Sequence, residues 1–176
     1  KDLLGQAEHD PDARPILVTM DEELVERVNV ALERELATLE TAAIARSALG
    51  NGGAVLCDDL ESMVETVNSL APEHLEVMGP QCESVAGRFE HYGGLFLGSN
   101  AAEVLGDYGC GPNHVLPTGG SARYTGGLSV FNFIRVRTWM RIERLSQTQS
   151  MIEDAMNLAS LEGLEAHRRS AEARQT

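Results

Sequence analysis

The chain has 176 residues, 43% hydrophobic and 23% charged, enough for one domain or a domain with a small appendage around a substantial core. A net charge of -13 with only 14 Lys and Arg argues against a nucleic-acid partner, whose phosphates require clustered cations. No apolar run is long enough to cross a bilayer, so no membrane partner is expected.

Cys57, Cys82 and Cys110 are odd in number and lack a C-x-x-C spacing. That disfavours a disulfide framework and a thiolate zinc knuckle, and points to a reducing compartment such as the cytoplasm. The opening "KDLLGQAEHD" has no initiator Met, basic stretch or apolar stretch of a leader. It reads as the end of a helix within something larger, closed by Pro11.

"ILVT" (Ile16 to Thr19) reads as a short β-branched strand, and Thr19-x-x-Glu22 as a capping box. Val25, Val28, Leu32, Leu36, Leu39 and Ala43 then recur at helical spacing, as one long amphipathic helix or two abutting ones. "ALGNGG" punctuates the chain before "AVLC" (Ala54 to Cys57), expected as a second, buried strand. Asp58-x-x-Glu61 resembles another helix start, with Leu60, Met63, Val64, Val67 and Leu70 as the inward stripe. Pro72 stops that helix, and Glu73 and His74 stand side by side before a third strand, "HLEVM". A helix over 81–90, a fourth strand "GLFLG" (Gly94 to Gly98) and a short helix near 101–105 follow. This alternation predicts an α/β fold with a parallel sheet flanked by helices. Such sheets place ligands at the carboxyl ends of their strands.

From Gly106 to Gly127 seven glycines and two prolines make a long loop of the kind that is usually functional. Beyond it "VRTWMRI" reads as a strand. A helical tail carries Ile152, Met156, Ala159 and Gly163 along one stripe, exposed enough to serve as a subunit contact.

The histidines are His9, His74, His91, His114 and His167. Gln6 and His9, at i and i+3, project from one helical face. They are either a solvated surface or part of a nitrogen-and-oxygen site for Zn²⁺ or a harder ion. Asp107 is a turn former beside Gly106 and Gly109, or a ligand that brackets the glycine-rich loop with His114. His91 reads as a cation at a helix C-terminus. Glu73 and His74 are either a strand-edge pair facing water or two proton carriers in one cleft. "GNGG" precedes a strand rather than following one, so no dinucleotide fingerprint is present.

"DLLGQAEHD", "LAPEHLEV", "GDYGCGPNHVLPTGGSARYTGGLSV" and "LASLEGLEAH" occur in the order of four motifs of the histidinol dehydrogenase family. The whole chain resembles the carboxyl-terminal portion of that family. Gly5 stands where the family usually has Ser or Ala. The resemblance implies a zinc-containing, NAD-dependent homodimer of histidine biosynthesis that oxidises L-histidinol through L-histidinal to L-histidine. Gln6, His9 and Asp107 match three zinc ligands, and His167 the fourth, donated across the dimer. Glu73 and His74 match the proton-handling pair. His114 and Glu162 match substrate-contacting positions, alongside Gln6, His9, His74, Asp107 and His167 in contact with the substrate.

The family's nucleotide-contacting residues and a substrate-touching serine would lie upstream of Lys1. The chain is therefore expected to be one piece of a longer enzyme, inactive without its N-terminal half. Residues 1–130 are expected to form the second part of an incomplete Rossmann-like α/β domain carrying the metal and proton-transfer residues. Residues 131–176 would be a small strand and helix tail facing the dimer partner. Two other readings are a paralogue acting on another small alcohol and, for the isolated piece, a non-catalytic metal-binding or dimerisation module.

Overall fold

The computed structural model describes residues 1–111 and 114–175; Pro112 and Asn113 of the glycine-rich loop, and Thr176, lie outside the described residues. The chain divides into two compact units, Lys1–Ile134 and Arg135–Thr176.

The first unit opens with helix α1 (Asp2–His9), strand β1 (Ile16–Thr19), helices α2 (Glu22–Leu36) and α3 (Ala42–Leu49), and strand β2 (Gly53–Leu56). The two-helix alternative therefore holds for the long apolar stripe. Helix α2 starts on Asp21, whose carboxylate accepts from the Leu24 N–H at 3.1 Å. Thr19 is not the cap, because it is still in β1; its hydroxyl accepts from the Asp21 N–H instead. Helix α4 (Leu60–Leu70) likewise starts one residue later than expected. Ser62 at its third position completes a reciprocal box with Asp59, a pairing that Asp58 does not have.

Strand β3 (His74–Val77), helix α5 (Pro80–Ser84), strand β4 (Gly94–Leu97) and helix α6 (Glu103–Asp107) complete the regular elements of this unit. The helix expected over 81–90 is shorter: α5 ends at Ser84 and a 3-10 turn, Ala86–Arg88, follows. His91 thus lies beyond any helix end and caps none.

The strands are parallel, but they form two pairs rather than one sheet. β1 pairs with β2 (Ile16↔Gly53 to Thr19↔Leu56), and β3 with β4 (His74↔Gly94 to Val77↔Leu97). β2 is not the buried strand its apolar run suggested, since Leu56 is exposed.

Two small cores hold the unit. Leu4 and Ala7 of α1 pack with Leu36, Ala45 and Ala48. Val64 and Val67 of α4 pack with Leu75, Val77 and Phe89, joined by Val18 of β1. Each fully buried aliphatic side chain contributes about 1.5–3 kcal/mol of transfer free energy. Helix α4 ends on Ala71 in the left-handed conformation (φ 48), its N–H bonded to the Val67 carbonyl, and Pro72 turns the chain into β3.

The second unit holds helices α7 (Gln149–Leu161) and α8 (Glu165–Glu172). Gly163 does not extend the tail's apolar stripe: it adopts φ +71 in the break between the two helices. The strand expected over "VRTWMRI" does not form; with no neighbouring strand to pair with among the described residues, Val136, Trp139 and Met140 are exposed. Among the described residues no helix is long and apolar enough to cross a membrane.

Gly93 sits under the start of β3, where a Cβ would lie 2.6 Å from the Glu73 carbonyl oxygen and 2.8 Å from Pro117 Cδ. Backbone and a proline ring cannot move aside cheaply. Gly93→Ala should therefore cost about 1–3 kcal/mol of stability, read by urea denaturation. A loss below about 0.5 kcal/mol would show that the strand start is not held as described.

Candidate metal and proton-transfer site

Leu4 and Ala7 commit one face of α1 to the core, and Gln6 and His9 lie on the neighbouring face, one turn apart. In β3 the pleat alternates side chains, so Leu75 and Val77 go inward while His74 and Glu76 share the opposite face. Helix α6 supplies Glu103 and Asp107 at i and i+4, again one face. Glu76 fastens these pieces together: its Oε1 accepts from the Glu103 backbone N–H at 2.8 Å, a donor in the first turn of α6 with no partner inside the helix. Gly106 lets α6 approach β4, since a Cβ there would fall 2.7 Å from the Phe96 ring. Glu73 enters at the strand's start, its carbonyl accepting from the Gly94 N–H at 2.8 Å.

His74 Nδ1 lies 2.9 Å from Gln6 Oε1, and His74 Nε2 lies 3.7 Å from Glu103 Oε1. His9 Nε2 stands 3.9 Å from Asp107 Oδ2. His9, Glu103 and Asp107 each offer an atom within 4.8 Å of the others. The His74 and Glu103 side chains are 9% and 8% exposed. Gln6 Nε2, His74 Nε2 and Glu103 Oε1 are buried without a hydrogen-bond partner. Each such atom costs about 1–3 kcal/mol, so three in one place mark a spot arranged for something other than stability. The donor set is imidazole, carboxylate and amide oxygen, without sulfur. It fits Zn²⁺ or a harder divalent ion, with Gln6, His9 and Asp107 able to hold it.

Burial pushes the Glu103 carboxyl up to about 7, and the neighbouring Asp107 carboxyl adds to the rise. Burial also raises Glu73, against the pull of His9, and raises Glu76. It lowers His74, which the Asp107 charge only partly offsets. A neutral imidazole is a base ready to take a proton near neutral pH.

The structure brings Gln6, His9, Glu73, His74 and Asp107 to the lining of one cleft, with exposed His114 on the same lining. Glu162 and His167 belong to the second unit, exposed at the end of α7 and within α8. Sequence reasoning missed Glu103 and Glu76. Glu103 sits four residues before Asp107 and Glu76 two after His74, spacings that share a helix face and a strand face respectively.

Together these features define a parallel α/β segment with a cation-capable cluster of imidazole, amide and carboxylate groups. The histidinol dehydrogenase family profile matches residues 1–175. Histidinol dehydrogenase of Nitratidesulfovibrio vulgaris is 49% identical over 174 residues, 98% of this chain and 40% of that protein. That of Syntrophotalea carbinolica is 45% identical with the same coverage. A crystal structure of histidinol dehydrogenase from Elizabethkingia anophelis superposes with a TM-score of 0.90 at 34% identity, over 98% of this chain and 40% of that one. The chain belongs to the histidinol dehydrogenase family. It spans about 40% of the length of these relatives.

The raised Glu103 carboxyl makes a prediction for the metal-free chain. With a folded value of about 7 above the ordinary 4.5, the folded state holds the proton more tightly than the unfolded one. The stability this gives is fully present below pH 4.5 and is lost as pH rises through about 7. Glu103→Gln should remove that loss, so its melting temperature should gain on the parent's between pH 5 and 8. Parallel curves across that range would refute the assignment.

Proposed function

We propose that this chain supplies the metal-binding and proton-transfer part of a zinc-dependent, NAD-linked histidinol dehydrogenase that converts L-histidinol through L-histidinal to L-histidine. The observation that carries this reading is the convergence of Gln6, His9, Glu73, His74 and Asp107, from α1, the start of β3 and α6, on one cleft within a chain of that family.

Gln6, His9 and Asp107 are the residues of this unit that would hold the zinc, with His167 of a second copy as the fourth ligand. A zinc held there would supply Lewis-acid chemistry that anchors and orients the substrate, without redox chemistry of its own. His114 and Glu162 contact the substrate. Holding it fixed is itself catalytic, because a positioned carbinol has already given up its translational and rotational freedom.

His74, kept neutral by burial, takes the hydroxyl proton in the first oxidation. Glu73, its carboxyl raised by burial, takes a proton from the water that adds to the aldehyde before the second oxidation. Each oxidation also passes a hydride to NAD. The nucleotide site is assigned, as the family resemblance implies, to the part of the enzyme upstream of Lys1.

Phe131 and Phe133 are exposed in the first unit, and Trp139 and Met140 in the second, which supports a homodimer or the N-terminal half as cover for each. Three free cysteines support a cytoplasmic setting.

In the complete enzyme, His9→Ala or Asp107→Ala should strip most of the zinc, read by elemental analysis. Turnover should fall at least about 10³-fold, the several kcal/mol a catalytic metal supplies. Unchanged zinc content would refute the ligand set. Glu73→Gln should slow oxidation of supplied histidinal about 10²–10⁴-fold, and more than His74→Asn does; His74→Asn should act mainly on histidinol oxidation. Equal losses in both steps for both variants would remove the division of labour.

A further inference from the structure

We propose that Glu103 is a positioning residue for His74: its carboxylate receives the Nε2–H of the imidazole and leaves Nδ1, the nitrogen beside Gln6, to take the substrate's proton. This rests on the reading of His74 as a proton carrier.

The three buried atoms without partners form a chain: Gln6 Nε2, His74 Nε2 and Glu103 Oε1. With Gln6 Oε1 facing His74 Nδ1 at 2.9 Å, the ring hydrogen must sit on Nδ1. The Nε2 lone pair then points at a carboxylate oxygen 3.7 Å away. With Glu103 ionised, as it is beside a bound cation, two acceptors would face each other where neither reaches water. The carboxamide is nearly symmetric in shape, so the same contact can be made with Nε2 of Gln6 donating to Nδ1. The imidazole hydrogen must then be on Nε2, where it donates to Glu103 Oε1 after the 3.7 Å gap closes by about half an ångström or more, to ordinary hydrogen-bond length.

One amide rotation therefore gives these three atoms partners, but it puts Gln6 Oε1 into the buried place of its nitrogen, beside the Glu103 carboxyl, where a cation is what would satisfy it. When Gln6 releases Nδ1, that nitrogen holds the lone pair. The substrate O–H bond breaks, its proton forms the Nδ1–H bond, and the resulting imidazolium keeps its Nε2–H on the Glu103 carboxylate.

Glu103 is built for this task. Its backbone N–H is pinned by Glu76, two residues along the strand from His74, so helix and strand are locked in register. The Phe96 ring, centroid 6.1 Å from that of His74 and tilted 42°, limits rotation of the imidazole.

Glu103 also lies within reach of His9 and Asp107, so a metal-ligand role is the competing account. The test uses the zinc-loaded complete enzyme with Glu103→Gln and Glu103→Asp. Glutamine can donate as well as accept, so it no longer fixes the tautomer. The expected result for Glu103→Gln is a kcat lower by about 10²–10³-fold, with KM for histidinol within about 3-fold and zinc content unchanged. Glu103→Asp should recover at least tenfold of the lost kcat. Long-range ¹H–¹⁵N NMR of histidine-labelled enzyme should show His74 as the Nε2–H tautomer in the parent and a mixture in Glu103→Gln.

Zinc lost together with activity in Glu103→Gln, an unchanged kcat, or a parent Nδ1–H tautomer would each overturn the proposal. A parent enzyme that does not oxidise histidinol would sink the functional reading instead, and the tautomer would then decide the Glu103–His74 pairing by itself.

Discussion

The single hydrogen bond from the Glu103 N–H to the Glu76 carboxylate is the contact on which the site depends. It ties the first turn of a five-residue helix to a four-residue strand, and neither element is long enough to hold its position by length alone. Through it the pleat of β3 sets where α6 begins, and one turn of α6 sets where Asp107 points. Helix α1 comes from the other side, held by Leu4 and Ala7 against α3. The chemistry of the cleft is thus positioned by two small apolar packings, which hold α1 and β3, and one hydrogen bond, which ties α6 to β3.

That arrangement gathers four carboxylates, Glu73, Glu76, Glu103 and Asp107, around two imidazoles in a partly dry place. Among the described residues none of the Lys and Arg ion pairs reaches them. Burial answers by pushing Glu103, Glu73 and Glu76 towards their neutral forms. A divalent cation answers the same problem better, because it compensates negative charge without removing the acceptors. The acidity of the cleft and its fitness for a metal are one property.

Much of this was legible in the sequence, and the reasons are local. The four strands stood out because β-branched and leucine runs were bounded by Gly, Pro and Asp. Gln6 with His9, and Glu73 with His74, were visible as spacings and as motif resemblance. The caps slipped by one or two residues, because whether Thr19 or Asp21 starts a helix depends on where β1 stops. Glu103 escaped notice because nothing in "AAEVLGD" announces that its side chain will be buried; only the approach of α6 to Phe96, permitted by Gly106, makes it so. "VRTWMRI" misled for the converse reason: its apolar residues look like a strand but find no neighbour to pair with.

In the proposed site α1, the start of β3 and α6 converge to cage one cation. Anomalous diffraction at the zinc edge from crystals of the complete enzyme addresses it most directly. One peak per site is expected, in contact with Gln6, His9 and Asp107, with His167 of a second copy beside it. A peak on other side chains, or none from crystals grown with excess zinc, would contradict it.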